Sequence, residues 1–106
     1  MNSIRLLAEA EEELVSIVSY VRENHGTRVA NRVYNEIMER VSHLSLMPDL
    51  GTLDTTLHYR GKPIRILHSR HTRIIYSVRE SEIVILLFWD NRRDEHKLHS
   101  AISSRL

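Results

Sequence analysis

Two histidines bracket a short turn in the second half of the chain, among several arginines. His68 and His71 are three positions apart, and Arg65, Arg70 and Arg73 lie close to them. Histidine titrates near neutral pH, so one imidazole can accept a proton while another donates one. Arginine stabilises the charge that develops on a phosphate. The combination suffices for metal-independent RNA cleavage, although two exposed turn histidines without a task would show the same pattern.

A second group of charged residues follows the most apolar segment. Arg92 and Arg93 follow Trp89 after Asp90 and Asn91, and Asp94 comes directly after them. One acid could hold one guanidinium in place while the other guanidinium points outward. The simpler interpretation is a strand end with an exposed ion pair, which would stabilise the fold little.

Charge is divided unevenly between the two halves of the chain. Residues 1–54 carry five Arg and nine acids, whereas residues 55–106 carry ten Lys or Arg and five acids. No acid occurs from Thr55 to Arg79, and Arg outnumbers Lys by 13 to 2 overall. Guanidinium binds phosphate or carboxylate through paired hydrogen bonds, so this half is predicted to contact an anionic partner. Its candidate target- or RNA-binding residues are Arg60, Lys62, Arg70 and Arg79.

Composition argues against several other kinds of site. The chain has no Cys, and its three Gly form no phosphate-binding loop, so no cofactor is expected. His96 and His99 could share a helix face, but no carboxylate motif accompanies them, so no metal site is predicted. The longest apolar run, Ile83–Trp89, has seven residues, and a membrane helix needs about 20. We therefore expect a cytoplasmic protein without a membrane partner.

The hydrophobic pattern predicts the elements that position these residues. Apolar residues at helical spacing predict two helices, with Gly26 as the cap of the first and Thr27 as the N-cap of the second. The predicted strands are residues 3–6, 64–68, 72–78 and 83–89; residues 52–62 are interpreted as a loop or a weak edge strand, and residues 94–104 as a short helix.

These elements predict one α+β domain over residues 1–106, in the order β-α-α-β-β-β with a short C-terminal helix. The last three strands should form an antiparallel meander, since short turns connect them. An antiparallel helix hairpin should cover one face of the sheet. The other face is expected to remain open and to present the basic residues.

Four short motifs occur in a recognisable order along the chain. They are residues 10–14 followed by Ile17 and Tyr20, then Pro48 and Gly51, then Arg65 with residues 73–78, and finally residues 87–94. In this order the chain resembles the RelE/ParE superfamily, the toxins of type II toxin–antitoxin systems. The resemblance covers nearly the whole chain and implies the RelE/ParE-like fold.

The resemblance implies a bacterial or archaeal growth-inhibiting toxin that a cognate antitoxin neutralises in a hetero-oligomer. ParE-type toxins inhibit DNA gyrase and are not enzymes, whereas RelE-type toxins cleave mRNA on the ribosome without metal. For the RelE type, the catalytic candidates are Arg65, His68, His71, Arg73, Arg92 and Arg93.

No tyrosine follows Tyr76, although the RelE type commonly has a late tyrosine or histidine near the scissile phosphate. The ParE type is therefore favoured. The alternatives are a RelE-type endonuclease and a non-toxic binding module that kept the fold.

Overall fold

Five strands form one mixed sheet in the computed structural model, which describes all residues from 1 to 106. The strands are β1 (Ser3–Leu6), β2 (Thr52–Tyr59), β3 (Lys62–Ser69), β4 (Thr72–Arg79) and β5 (Glu82–Asp90). Their spatial order is β1-β5-β4-β3-β2, with β1 parallel to β5 and the other pairs antiparallel. The predicted α+β class is confirmed. The segment interpreted as a loop or weak edge strand contains β2, so the meander has four strands rather than three.

The helix hairpin consists of α1 (Ala8–His25) and α2 (Thr27–His43), joined by Gly26 alone. Gly26 has φ 90° and ψ 168°, a conformation that residues with a side chain rarely adopt. Its amide closes the last turn of α1 on the Arg22 carbonyl, and its carbonyl accepts from the Ala30 amide in the first turn of α2. The prediction of Thr27 as N-cap is wrong, because a single residue caps both helices.

The first hydrophobic core lies between this hairpin and one face of the sheet. Leu14 and Ile17 of α1 and Ile37 and Val41 of α2 are buried there. They pack over Leu67, Ile74, Tyr76, Ile83, Ile85 and Phe88 of the sheet. None of the helices is both long and apolar enough to span a membrane.

The second face of the sheet is also covered, so the prediction of an open face is wrong. A 3₁₀ turn (Glu95–Lys97) leads into α3 (Leu98–Ser103), which confirms the predicted C-terminal helix. Leu98 and Ile102 of this helix are buried against a second core that contains Trp89. The second face is covered because β5 is apolar at every position from Ile83 to Trp89. Such a strand has apolar side chains on both faces of the sheet, and both faces must be buried.

A β-bulge in β5 decides which side chains reach each core. Ile75 pairs with Leu87 while Tyr76 pairs with Ile85, so Leu86 is an extra residue without a partner on β4. The bulge shifts the alternation of side chains along the strand. As a result, Phe88 packs against the helix hairpin and Trp89 packs under α3.

Candidate functional site

Arg65 and Tyr76 are cross-strand partners that together hold the loop after α2. Arg65 Nη1 donates to the Gly51 carbonyl at 2.8 Å and to the Asp49 carbonyl at 3.2 Å. The Tyr76 hydroxyl donates to the Pro48 carbonyl and accepts from the Gly51 amide, both at 2.8 Å. Burial raises the pKa of Tyr76, which keeps this hydroxyl a donor at neutral pH. The Arg65 guanidinium therefore binds backbone carbonyls of its own chain.

Arg73 lies on the second face of the sheet, opposite Trp89 on β5. Its side chain is 20% exposed, and its Nη2 lies 2.8 Å from a carboxylate oxygen of Glu95. The Glu95 side chain is 73% exposed. Arg73 Nε is buried and has no hydrogen-bond partner. An open cavity of about 620 Å³ lies beside it and is also lined by His68 and Asp54. Hydrogen bonds from the Thr56 hydroxyl and amide lower the pKa of Asp54, so this cavity contains an ionised carboxylate at neutral pH.

His68 and His71 lie in different cavities. His68 lines the cavity of Arg73, whereas His71 lines one of about 450 Å³ between the helix hairpin and the adjoining ends of β4 and β5. The two cavities share no lining residue. His68 also lines a cavity of about 300 Å³ with Ser69 and Arg70, which His71 does not line. None of these three cavities is therefore lined by both imidazoles, whereas a proton donor and acceptor for a single phosphate would have to reach the same site.

The remaining basic candidates lie at the two ends of the sheet. Arg60, Lys62 and Arg79 are near the β2–β3 turn and the end of β4, and none has an acidic partner within salt-bridge distance. Arg60 has a positive φ of 49° and lies over the Tyr59 ring, 5.5 Å from its centroid. Arg70 is at the opposite end, in the β3–β4 turn, 3.9 Å from Glu36. These residues do not form one continuous surface.

Arg92 and Arg93 differ in what they contact. Asp90 holds Arg92 through Nε, 3.0 Å from each carboxylate oxygen, and through a further contact to Nη2. The Arg92 guanidinium also stacks on Tyr20, 3.5 Å from the ring centroid. The side-chain hydrogen bond from Arg92 lowers the pKa of Asp90, so this carboxylate is ionised at neutral pH. Arg93 lies 4.1 Å from the centroid of Trp89 and has no acidic partner.

Sequence reasoning missed an ion pair that attaches the C-terminus to α1. Arg105 Nη1 and Nη2 lie 3.0 and 2.8 Å from the two carboxylate oxygens of Glu13, and Nη1 also donates to the Leu86 carbonyl at 2.7 Å. Glu13 in turn accepts the Phe88 amide at 3.3 Å. The partners are 92 residues apart. The only signal in the sequence is that Glu13 directly precedes Leu14 on the apolar face of α1.

One comparison with known proteins identifies the family of this chain. A family model described as "ParE toxin of type II toxin-antitoxin system, parDE" matches residues 4–95. The chain belongs to the ParE toxin family. The match confirms the predicted RelE/ParE superfamily toxin. No curated protein matches the chain.

Among solved structures, a chain titled "Chromosomal ParDE TA system from P. aeruginosa" has a similar fold. The TM-score is 0.69 at 22% sequence identity, over 85% of this chain and 96% of that chain. The family match ends at Glu95. In this ParE toxin family member, α3 and Arg105 therefore lie beyond the residues that the family model describes, whereas Glu13, the partner of Arg105, lies within them.

Proposed function

We propose that this ParE toxin family member inhibits growth by binding a protein target such as DNA gyrase in the cytoplasm, and that a cognate antitoxin neutralises it in a hetero-oligomer. One observation favours this function over RNA cleavage: three of the arginines that could stabilise a phosphate are bound to other groups of the chain. Arg65 binds backbone carbonyls, Arg73 binds Glu95 and Arg92 binds Asp90.

RNA cleavage would need these groups to be free and to converge on one phosphate. A general base, a general acid and a cation must all reach it within hydrogen-bond distance. Here the two turn histidines line separate cavities. Binding a protein surface has no such requirement, because an interface extends over a large area and a few aromatic and arginine residues within it carry most of the binding energy.

We assign to the partner surfaces four basic residues of the second half of the chain that have no acidic partner. Arg60, Lys62 and Arg93 are exposed, and Arg79 is half-buried. Such unpaired charges attract an acidic partner and speed its association. The first 54 residues carry most of the acids, so this attraction is concentrated on the second half of the chain.

Induced expression followed by two measurements tests the proposal. We expect loss of negative supercoiling in a reporter plasmid, with mRNA ends mapping no differently from those of uninduced cells. A purified-protein assay should show inhibition of gyrase supercoiling that the protein encoded beside this gene relieves. Normal growth and unchanged supercoiling on induction would favour the non-toxic binding module instead.

The RelE-type alternative rests on one feature of the Arg73 cavity. Arg73 and His68 share this cavity, and Glu95 is mostly exposed, so movement of a single side chain would free the guanidinium beside an imidazole. Under this alternative, induction should produce mRNAs cut within codons, and Arg73→Ala should abolish the cuts. Intact mRNA in growth-arrested cells would exclude it.

A further inference from the structure

Three of the basic residues without an acidic partner lie at one end of the sheet. Arg60 is in the β2–β3 turn, Lys62 begins β3 and Arg79 ends β4. Lys62 and Arg79 are each two residues beyond Ile64 and Ser77, the last paired residues of β3 and β4 at this end. Neighbouring strands lie about 5 Å apart, so the three cations form one cluster, which we call the basic end of the sheet.

The alternation of side chains along the strands places this cluster on the second face of the sheet. Ile64 of β3 and Ile75 of β4 are buried in the second core. Side chains an even number of residues apart on a strand point to the same face. Lys62 and Arg79 therefore point to the same side of the molecule as Ile64 and Ile75.

The acids at this end of the sheet do not cancel its positive charge. Glu82 lies 3.3 Å from Arg5, and Glu80 in the β4–β5 turn is the other acid. A hydrogen bond from Glu82 raises the pKa of Arg5, and Tyr59 raises it further, so Arg5 lies beside the tyrosine that Arg60 covers. Arg5 and the three cations give four positive charges against two negative ones, a net charge of +2.

Arg60 has a backbone conformation that arginine rarely adopts. Arg60 and Gly61 are the two central residues of the β2–β3 hairpin, with φ values of 49° and 85°. Two positive φ values are characteristic of a type I′ turn, which favours asparagine or glycine at the first position. Arginine here lowers stability, and such strained residues are concentrated at functional sites. Contact with the Tyr59 ring, 5.5 Å from its centroid, restricts the guanidinium before it binds a ligand.

The surroundings of the basic end favour a phosphate backbone over a protein surface. A protein interface has an apolar centre and a polar rim. None of the large apolar side chains that are exposed lies in β3, β4 or β5, or in the turns from β2 to β5. Tyr59 is buried, so its ring is not available for an unpaired base to stack on. Positive charge without either feature is typical of sequence-independent contact with a nucleic acid duplex.

We propose that the basic end of the sheet contacts the phosphate backbone of duplex DNA through Arg60, Lys62 and Arg79. The inference rests on the proposed function, because a target that acts on DNA holds a duplex beside the bound toxin. Arginine binds phosphate through paired hydrogen bonds and lysine binds it as a point charge, so the contacts need no particular base sequence. The added contact makes the DNA-bound target a better ligand for the toxin than the free target.

The test measures binding of the full-length toxin to a fluorescein-labelled DNA duplex by anisotropy. Three phosphate contacts predict a slope of about −2.7 for log affinity against log salt, which is a loss of about 40-fold between about 50 and 200 mM NaCl. Each contact removed should reduce the magnitude of the slope by about 0.9. A single-stranded RNA of equal length should bind more weakly, and equal binding would overturn the assignment to duplex DNA.

Arg60→Asn separates the loss of binding from a loss of folding, because asparagine is favoured at this position of a type I′ turn. The variant should be at least as stable as wild type in a thermal melt. It should bind the duplex about 15-fold more weakly at about 50 mM salt and about 4-fold more weakly at about 200 mM. Lys62→Gln and Arg79→Gln should have similar effects on binding. The matched control is Arg28→Ala, an exposed arginine of α2 that also has no acidic partner, and it should bind like wild type.

A variant that combines Arg60→Asn, Lys62→Gln and Arg79→Gln decides the outcome. Duplex binding that this variant retains, or that salt does not weaken, would overturn the inference even if the wild-type toxin inhibits gyrase. Loss of binding to DNA-free target by the variant, with duplex binding unchanged, would instead assign this end to an acidic protein surface. Duplex binding that depends on the three residues, in a toxin that does not inhibit gyrase, would refute the proposed function and leave the DNA contact standing.

Discussion

Replacing Arg105 with methionine should destabilise the protein by leaving Glu13 as an unpaired, mostly buried carboxylate. Methionine retains an aliphatic stem of similar length, so the substitution removes the charge and the donors more than the packing. The side chains of Arg105 and Glu13 are only 14% and 19% exposed. After the change, Glu13 retains the Phe88 amide as its remaining donor, and the Leu86 carbonyl loses its side-chain donor.

The expected loss is about 3 kcal/mol in the free energy of unfolding. Removing one partner of a buried ion pair costs about 3–5 kcal/mol, and we take the lower limit because water reaches the edge of both groups. The unpaired Leu86 carbonyl, which would by itself cost about 1–3 kcal/mol, is included in this figure because the two effects share one guanidinium.

Urea unfolding followed by the fluorescence of Trp89, the only tryptophan, measures this loss. With a slope of about 1–3 kcal/mol per molar urea, the midpoint should fall by about 1–3 M. Adding Glu13→Gln to Arg105→Met should recover part of the stability, since glutamine can still accept from Phe88 and carries no charge.

The control is Arg5→Met, which breaks the exposed pair between Arg5 and Glu82 at 3.3 Å. Both side chains of this pair are at least 40% exposed, so we expect a much smaller midpoint shift. The reasoning is refuted if the two single variants shift the midpoint equally, or if Glu13→Gln lowers the stability of Arg105→Met further.

Three other predictions concern the loop after α2 and the end of β5. Tyr76→Phe should lower the free energy of unfolding by about 1–3 kcal/mol in urea, because it strips the buried Gly51 amide of its acceptor and Pro48 of a donor. Gly51→Ala should lower stability by about 1–3 kcal/mol in a thermal melt, since its Cβ would lie 2.8 Å from the Tyr76 ring. Asp90 has a lowered pKa because of Arg92, so its contribution is complete above the ordinary value of 3.8 and is lost as pH falls below it. Asp90→Asn should therefore be less stable than wild type at neutral pH, and the difference should shrink below about pH 4 in parallel denaturation curves.

The periodicity of apolar residues was enough to predict most of the helices and strands. It was not enough to predict that both faces of the sheet are covered. Helical and strand periodicity place α1, α2, β3, β4 and β5 close to their observed bounds. β2 is ambiguous because it is a mostly exposed edge strand with little apolar alternation and a pairing irregularity between Asp54 and His58. The closed second face was implied by the apolar composition of β5, and α3 is the element that remains to cover it.

The candidate site was harder to predict, because charge composition does not show which guanidinium groups are already bound. Arg65 contacts a carbonyl 14 residues away, and Arg105 contacts an acid 92 residues away. Only the ion pair of Asp90 and Arg92 joins residues close enough in the sequence for the contact to be inferred from the sequence alone. An arginine-rich segment therefore indicates a capacity to bind anions, and tertiary contacts determine which residues retain it.

The pairing of the first strand with the last has a consequence for the order in which the protein matures during translation. Ser3 pairs with Glu82, so β1 cannot pair until a segment about 80 residues further along the chain has been synthesised. At ordinary synthesis rates this takes roughly 4–16 s. Until then the helix hairpin lacks β5, an interior strand of the sheet that it covers, because Ile83 and Ile85 have not been made. The β5 edge and the surface around Arg93 thus appear only in the nearly finished chain. Under the proposed function, a partner that recognises this folded surface can therefore bind only after β5 has been made.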